Sequence, residues 1–457
     1  MKRRYLLPLC LALNACVPVG SPETASRAAV SMTSSDSGLP PMKSFSAPRP
    51  VPTHVSNADL ARDILGLAFS LESGKELAAF TQFEGPITLR VTGTPPPAMI
   101  IDLDRLIHRL RSEAQIDIRL VAAPVANITV QAVPRAEIRK TMPSAACFVV
   151  PNVSSLEDYR AARRASAVSW SSITRRERVA VFVPANAAPQ ELRDCLHEEI
   201  AQALGPLNDM YRLADSVFND DNVHTVLTGY DMTVLRAYYD PDLRSGMSHR
   251  DVAARLPGIL ARINPAGETR PARRLPETPR VWINAVQAAL GPGASAAERR
   301  AAATEALSIA ATLGWTDHRR GFSHYALGRI LQGSSAAAAQ EQFVLAKRYF
   351  ERAPDTELHQ AYVASQLAAH ALNGGQPEQA LAQIGPHLDT AARYENAALL
   401  ATLMLLRAEA LEASGRASEG RQVRLDSLGW ARYGFGSDWA VRDRMREIAA
   451  LNPLKGG

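Results

Sequence analysis

The sequence predicts an α+β domain followed by an all-α domain of helical hairpins, and three observations carry that prediction. Five short runs, "PITLRVTG" (86–93), "IDIRLV" (116–121), "NITVQAV" (127–133), "CFVVP" (147–151) and "VAVFVP" (179–184), have the length and β-branched content of strands. Helical patterns lie between them, whereas beyond residue 280 the β-branched runs give way to Ala-rich helix. In that later part Gly291-x4-Ala296, Gly333-x4-Ala338, Gly375-x4-Ala380 and Gly415-x4-Gly420 recur at intervals of 42, 42 and 40 residues. Each small-residue pair falls between two helical patterns, as tight inter-helix turns require.

The chain opens on a different kind of segment. Lys2, Arg3 and Arg4 precede an apolar run from Tyr5 to Leu13, then Leu13-Asn14-Ala15-Cys16. The run is too short to cross a bilayer core of about 30 Å but suits a secretory leader. It resembles a bacterial lipoprotein signal peptide over residues 1–15, which implies cleavage before Cys16 and acylation of that thiol; an ordinary cleaved signal is the alternative. Valine rather than aspartate after Cys16 favours the outer membrane, as lipoprotein sorting implies. Removing the three basic residues reduces the net charge of +5 to +2, too little to argue for nucleic acid. With Cys10 lost and Cys16 acylated, Cys147 and Cys195 remain, and two thiols in an oxidising compartment are expected to pair.

Residues 16–54 are rich in Pro, Ser, Thr and Ala without apolar periodicity and read as a solvated tether. Order is expected near Asn57, a candidate cap ahead of Leu60, Ile64, Leu67, Ala68 and Leu71 on one helical face. "IDLDRLIHRLRSEA" (101–114) is helical, and another helix follows from Pro189, with Glu191 and Asp194 near its positive end. The first domain is placed at 55–265, a Pro/Arg-rich linker at 266–280 and the helical domain at 281–457. "HALNGGQPEQALAQI" is similar to the turn of tetratricopeptide repeats, although the period exceeds the ~34 residues of that family. An irregular helical bundle is the alternative.

The chemistry concentrates in "HEEIAQALGPLND" (197–209). Residues i and i+4 of a helix share a face and can grip one ion, and a following glycine can turn a third ligand back toward it. The stretch resembles the metzincin zinc-binding signature with every spacing kept. Glu198, Gln202 and Asn208 occupy the three metal-ligand positions, Glu199 that of the catalytic general base and Gly205 that of the turn. "SVFND" (216–220) is similar to the turn beneath such a site, with Phe218 where methionine is expected. "LTGYDMTVLRAYYDP" (227–241) looks like the closing helix, with Thr228 capping and Asp231 three residues later. The whole is also similar to a family of uncharacterised bacterial lipoproteins carrying this degenerate helix. The resemblance implies a zincin-like (metzincin-like) fold.

Ligand chemistry then argues against hydrolysis. Amide carbonyls are poor zinc ligands, so no cofactor is expected. His197 and His224 are the imidazoles that neighbouring positions offer. Glu198 and Glu199 project about 100° apart and form no ready acid/base pair; taken alone they read as a solvated acidic face. "FNDDN" (218–222) lacks the oxygen spacing of a calcium loop and reads as a solvated turn. No phosphate loop, nucleophile elbow or Cys-x-x-Cys pair is present. The expectation is a lipid-anchored envelope protein facing the periplasm, with a non-catalytic metzincin-like domain and a helical-repeat domain that binds an envelope protein or an extended peptide. The alternatives are a metallopeptidase that uses zinc with Glu199 as base, and a structural scaffold whose function lies entirely in residues 281–457.

Overall fold

The computed structural model describes residues 38–46 and 51–455, so the leader-like segment and Cys16 lie outside the described residues. The chain forms two compact units, Ser46–Pro276 and a second that joins Glu277–Gly457 to the stretch ending at Phe45. No described helix is long and apolar enough to cross a membrane.

In the first unit the helices are α1 (Asn57–Phe69), α2 (Pro97–Ser112), α3 (Arg135–Thr141), α4 (Leu156–Ala162), α5 (Pro189–Leu204), α6 (Gly229–Tyr238) and α7 (His249–Ile263). The strands are β1 (Ile87–Gly93), β2 (Ile118–Leu120), β3 (Ile128–Val133), β4 (Phe148–Pro151) and β5 (Val179–Pro184). All five predicted runs therefore supply strands. They form one mixed sheet in the order β2-β1-β3-β5-β4, with β4 alone antiparallel and Val91, Val130 and Val181 in register across β1, β3 and β5. The α+β expectation thus resolves into an α/β sheet: segments containing helices connect parallel β1 to β2 and β3 to β5, whereas residues 121–127 link β2 to β3 without one. "VAVFVP" does not alternate because β5 is buried along its whole length, as a covered parallel strand must be.

The start of α1 differs from expectation by one residue. Ser56 is the cap, its Oγ accepting from the Asp59 N–H at 3.1 Å. Asn57 instead donates to Asn264 O (3.2 Å) and Glu268 Oε1 (2.6 Å), tying α1 to the end of α7.

Cys147 and Cys195 form the expected disulfide, joining the segment just before edge strand β4 to the middle of α5. The bond closes a loop across 48 positions, for which chain entropy gives about 2–4 kcal/mol. Reduction of the native protein is expected to lower its unfolding free energy by about that amount, read as a fall in its urea midpoint, and an unchanged midpoint would show the tie to be dispensable.

The second unit is built of packed helix pairs. They are α8 (Arg280–Leu290) with α9 (Ala296–Thr312), α10 (His318–Leu331) with α11 (Ala336–Arg352), α12 (Glu357–Asn373) with α13 (Pro377–Ile384), and, after the short α14 (Leu388–Arg393), α15 (Ala397–Ala413) with α16 (Ala417–Phe435). A last helix, α17 (Asp438–Ala449), follows. The four glycines of the repeat all fall in the turns inside these pairs. Gly375 and Gly415 have φ of +68° and +83°, which a side chain would strain.

Residues 38–45, counted with the tether from composition, lie instead on α16. Phe45 stacks on Trp430 with ring centroids 4.5 Å apart, and the Lys43 N–H donates to Gly429 O at 3.1 Å. Two aromatic rings and a backbone bond give this short piece a fixed place that its Pro/Ser-rich surroundings conceal.

Candidate functional site

Helix α5 begins with Pro189 at its first position and Glu191 in its first turn, both favoured at a positive helix end. It stops at Gly205, whose φ of 175° is ordinary extended backbone. The glycine is needed for a different reason: a Cβ there would stand 2.3 Å from Tyr238 Cε1. Closing α6 therefore packs directly against the turn.

A residue that sequence reasoning missed secures this end. Arg176, only 2% exposed, donates from Nη1 to Gln202 O (2.7 Å) and Ala203 O (2.8 Å), and from Nη2 to Gly205 O (2.7 Å). Its Nε reaches Thr81 O at 3.2 Å and its plane lies 4.7 Å from the Trp170 ring. A guanidinium thus satisfies carbonyls that the last helical turn leaves open. Within "TRRERV" nothing marks Arg176 out from Arg175 or Arg178.

The segment after α5 is held equally firmly. Asp231, fully buried, accepts from Ser216 Oγ (2.5 Å), Val217 N (3.1 Å) and Thr228 N (2.8 Å), completing the capping box of α6. Burial raises its carboxyl to about 6 despite those bonds. Phe218 is also fully buried, and its carbonyl accepts from Met210 N at 2.8 Å. "FNDDN" is accordingly no solvated turn. Asn219 and Asp221 are buried, with Asn219 Nδ2 bonded to Leu213 O and Asp221 Oδ2, both at 2.8 Å.

The residues at the metal positions do not share one environment. Gln202 is 7% exposed and its amide has no hydrogen bond; Asn208 donates from Nδ2 to Gly66 O at 3.1 Å; Glu198 is half-buried. Neither histidine is available to them. His197 Nδ1 accepts from Leu227 N at 3.0 Å, and burial with the nearby Arg109, Arg193 and Arg105 keeps the ring neutral, well below its ordinary pKa. His224 Nε2 sits 3.3 Å from Asp215 Oδ1; burial would lower its pKa, but this partner outweighs burial and raises it. Among the described residues no three His, Cys, Asp or Glu side chains converge as metal ligands do. Two neutral amides, one already engaged, and no free imidazole do not fit zinc.

What the structure does gather is carboxylate. Asp194, Glu198 and Glu199 lie on α5, and loop residues Glu72, Asp209 and Asp220 bring their charges near them. Burial, then the neighbouring Glu72 and Asp194, pushes Glu199 up to about 8. Burial with Glu199, Asp194 and Glu72 raises Glu198 well above its ordinary range, and burial with Glu72 and Glu198 does the same to Asp209. Asp194 is raised to about 7 by burial and Glu191, with Arg193 opposing. The acidic pair on α5 is thus not a solvated face, since Glu199 is 5% exposed. Asp209 was readable as the last motif residue, but Glu72 and Asp220 reach the cluster from loops whose return the sequence does not reveal.

No curated protein and no solved structure matches the chain. Residues 57–258, from α1 into α7 and containing α5 with its acidic cluster and Arg176, match the family model described as Protein of unknown function (DUF2927).

Proposed function

We propose that this is an exported, lipid-anchored protein whose α/β unit is a zincin relic: it keeps the helix, turn and closing helix of a metzincin as a binding module and has lost hydrolysis. The helical unit then supplies a tetratricopeptide-like surface for a partner polypeptide. The observation that carries the reading is the donor set at the metal positions: Gln202 and Asn208 are neutral amides, Asn208 is engaged by Gly66 O, and His197 and His224 are bonded to Leu227 N and Asp215. Burial and neighbouring acids also push Glu199 up to about 8, which reduces the share of it that can take a proton from water at neutral pH. Without a Lewis acid, that water keeps a pKa of about 15.7 instead of about 7.

Two further features agree. The disulfide suits an oxidising compartment outside the cytoplasm. On the helical unit, α9 and α10 bound a groove of about 930 Å³ lined by Ala297, Arg300, Ala301, Thr304, Ser308 and Ile330, large enough for a peptide segment.

The test is elemental analysis with a peptidase assay on one preparation. We expect substoichiometric zinc and no cleavage, with Glu199→Gln unchanged in both. Near one zinc per chain, with peptidase activity abolished by Glu199→Gln, would overturn the reading. Restoring the ligand set with Glu198→His, Gln202→His and Asn208→His is expected to create tight zinc binding; failure to bind metal would show that the three positions do not converge.

A further inference from the structure

Residues 38–45, "GLPPMKSF", carry two adjacent prolines, which bar helix and favour an extended chain. Leu39, Pro40, Lys43 and Phe45 are half-buried against α16, whereas Gly38, Pro41, Met42 and Ser44 are exposed. Each half-buried position meets a different part of the helix. Leu39 packs on the cluster of Leu428 and Val441 that joins α16 to α17. Arg432 Nη1 donates to Pro40 O at 3.0 Å. Lys43 Nζ donates to Asp426 O at 3.1 Å and to the Asp426 carboxylate, and it lies 5.5 Å from the centre of the Trp430 ring. Phe45, stacked on Trp430, also meets the Tyr433 ring edge-on at 6.4 Å.

A second observation comes from α16 itself. Gly429 stands inside the helix, where glycine weakens the helical state. A Cβ there would meet Lys43 Cγ at 2.6 Å and Pro41 O at 3.0 Å, and the three nearest atoms all belong to residues 41–43. Gly434, five positions on, differs: its missing Cβ makes room for Ala398 of α15. One glycine therefore serves helix packing, and the other serves an extended peptide. The peptide adds neither helix nor strand to the unit. It is held by spaced side chains and by backbone bonds, which is how folded domains grip short linear segments.

We propose that this face of α16 is a peptide-binding site held in cis by the chain's own residues 39–45, and that the partner of the helical unit enters it with an extended segment of the same chemistry. That segment has an aliphatic residue followed by proline, a Lys or Arg three positions after the proline, and an aromatic ring two positions beyond the cation. The inference rests on the reading of the helical unit as a polypeptide binder, and it names the site and the ligand. Asp426 and the face of Trp430 both favour a cation between them. Trp430 and Tyr433 supply the aromatic surface that anchors such segments. Release of the resident strap removes no element of the unit. The strap reaches α16 along a chain path that includes all of Ser46–Pro276, so its effective concentration is below the ~1 mM of a short flexible linker, and a well-matched partner competes with it.

The test is fluorescence polarisation on the full chain, with a labelled peptide of residues 38–46 as probe. Lys43→Ser with Phe45→Ser frees the strap and leaves its site unchanged, so the probe is expected to bind this double variant at least about tenfold more tightly than the parent. In the peptide, Lys43→Arg, Phe45→Trp and Met42→Ala should change affinity by less than about threefold, whereas Lys43→Glu or Phe45→Ala should weaken it at least about tenfold. A separate arm leaves the strap sequence intact: Asp426→Lys, at an exposed position, repels Lys43 and should bind the Lys43→Glu peptide more tightly than the unaltered one. Helical circular dichroism checks that each variant is folded. Equal binding of the probe to parent and double variant, or no preference of Asp426→Lys for the glutamate peptide, would overturn the proposal. A parental dimer that is lost in the double variant would assign the site to a second copy of the chain and overturn it as well. Absent peptide binding beside null zinc and peptidase readings removes this inference and leaves the proposed function standing, with its groove between α9 and α10. Peptide binding beside an active zinc site does the reverse.

Discussion

Arg176→Met is expected to destabilise the α/β unit by about 3–5 kcal/mol, the range for breaking a buried, fully bonded charged group. The guanidinium makes 2.7–2.8 Å bonds to three carbonyls at the end of α5, and methionine keeps much of the volume without any donor. Each carbonyl left bare inside the protein costs about 1–3 kcal/mol unless water replaces the lost bond. Lysine restores charge but carries its donors on one nitrogen, so it should recover only part of the loss. Urea unfolding followed by circular dichroism reads the effect. A loss below about 1 kcal/mol would mean that solvent reaches the carbonyls and that Arg176 does not hold the helix end.

Stability should also fall steeply with rising pH, and Glu199 should be a principal cause. Its carboxyl titrates near 8 in the folded chain against an ordinary 4.5. Below about 4.5 both states are protonated and the residue contributes no pH dependence. Between 4.5 and 8 the unfolded chain ionises while the folded one keeps its proton, so the folded state loses ground continuously; above 8 the penalty is constant. At about 1.4 kcal/mol per pH unit the total is of order 5 kcal/mol. Glu199→Gln should therefore match the parent near pH 4.5 and exceed it by several kcal/mol at pH 9, as measured by denaturant titrations at both pH values. Parallel stability profiles for the two proteins would show that Glu199 is ionised in the native state and has found a partner.

These two residues also show what the sequence could convey. Strands and helices were legible because periodicity, turn residues and caps are local: "VAVFVP" became β5, Pro189 opened α5, and Thr228 with Asp231 closed a capping box. The disulfide was legible from cysteine number and compartment. Parallel pairing was not, since it depends on crossovers that bring distant strands together. For the site, helix periodicity placed Glu198, Glu199 and Gln202 on one element, but it could not say which side other elements cover. The charge that adds to burial in pushing Glu199 up comes from Glu72, more than 120 positions away. Arg176 was hidden for a similar reason, because its partners are backbone carbonyls and any basic residue in that run could have served.

The strap at residues 38–45 has a consequence for the order in which the chain can reach its native state. Lys43 bonds to Asp426, 383 positions later, so this contact cannot exist until nearly all of the polypeptide has been made. By then the whole α/β unit, Ser46–Pro276, has emerged and has had time to fold as an independent block. Closing so long a loop is entropically slow, and its reward comes only once α16 is formed. Until α16 has been made Phe45 therefore lacks Trp430 as its partner, and the docking of Phe45 onto Trp430 comes late in the order of events.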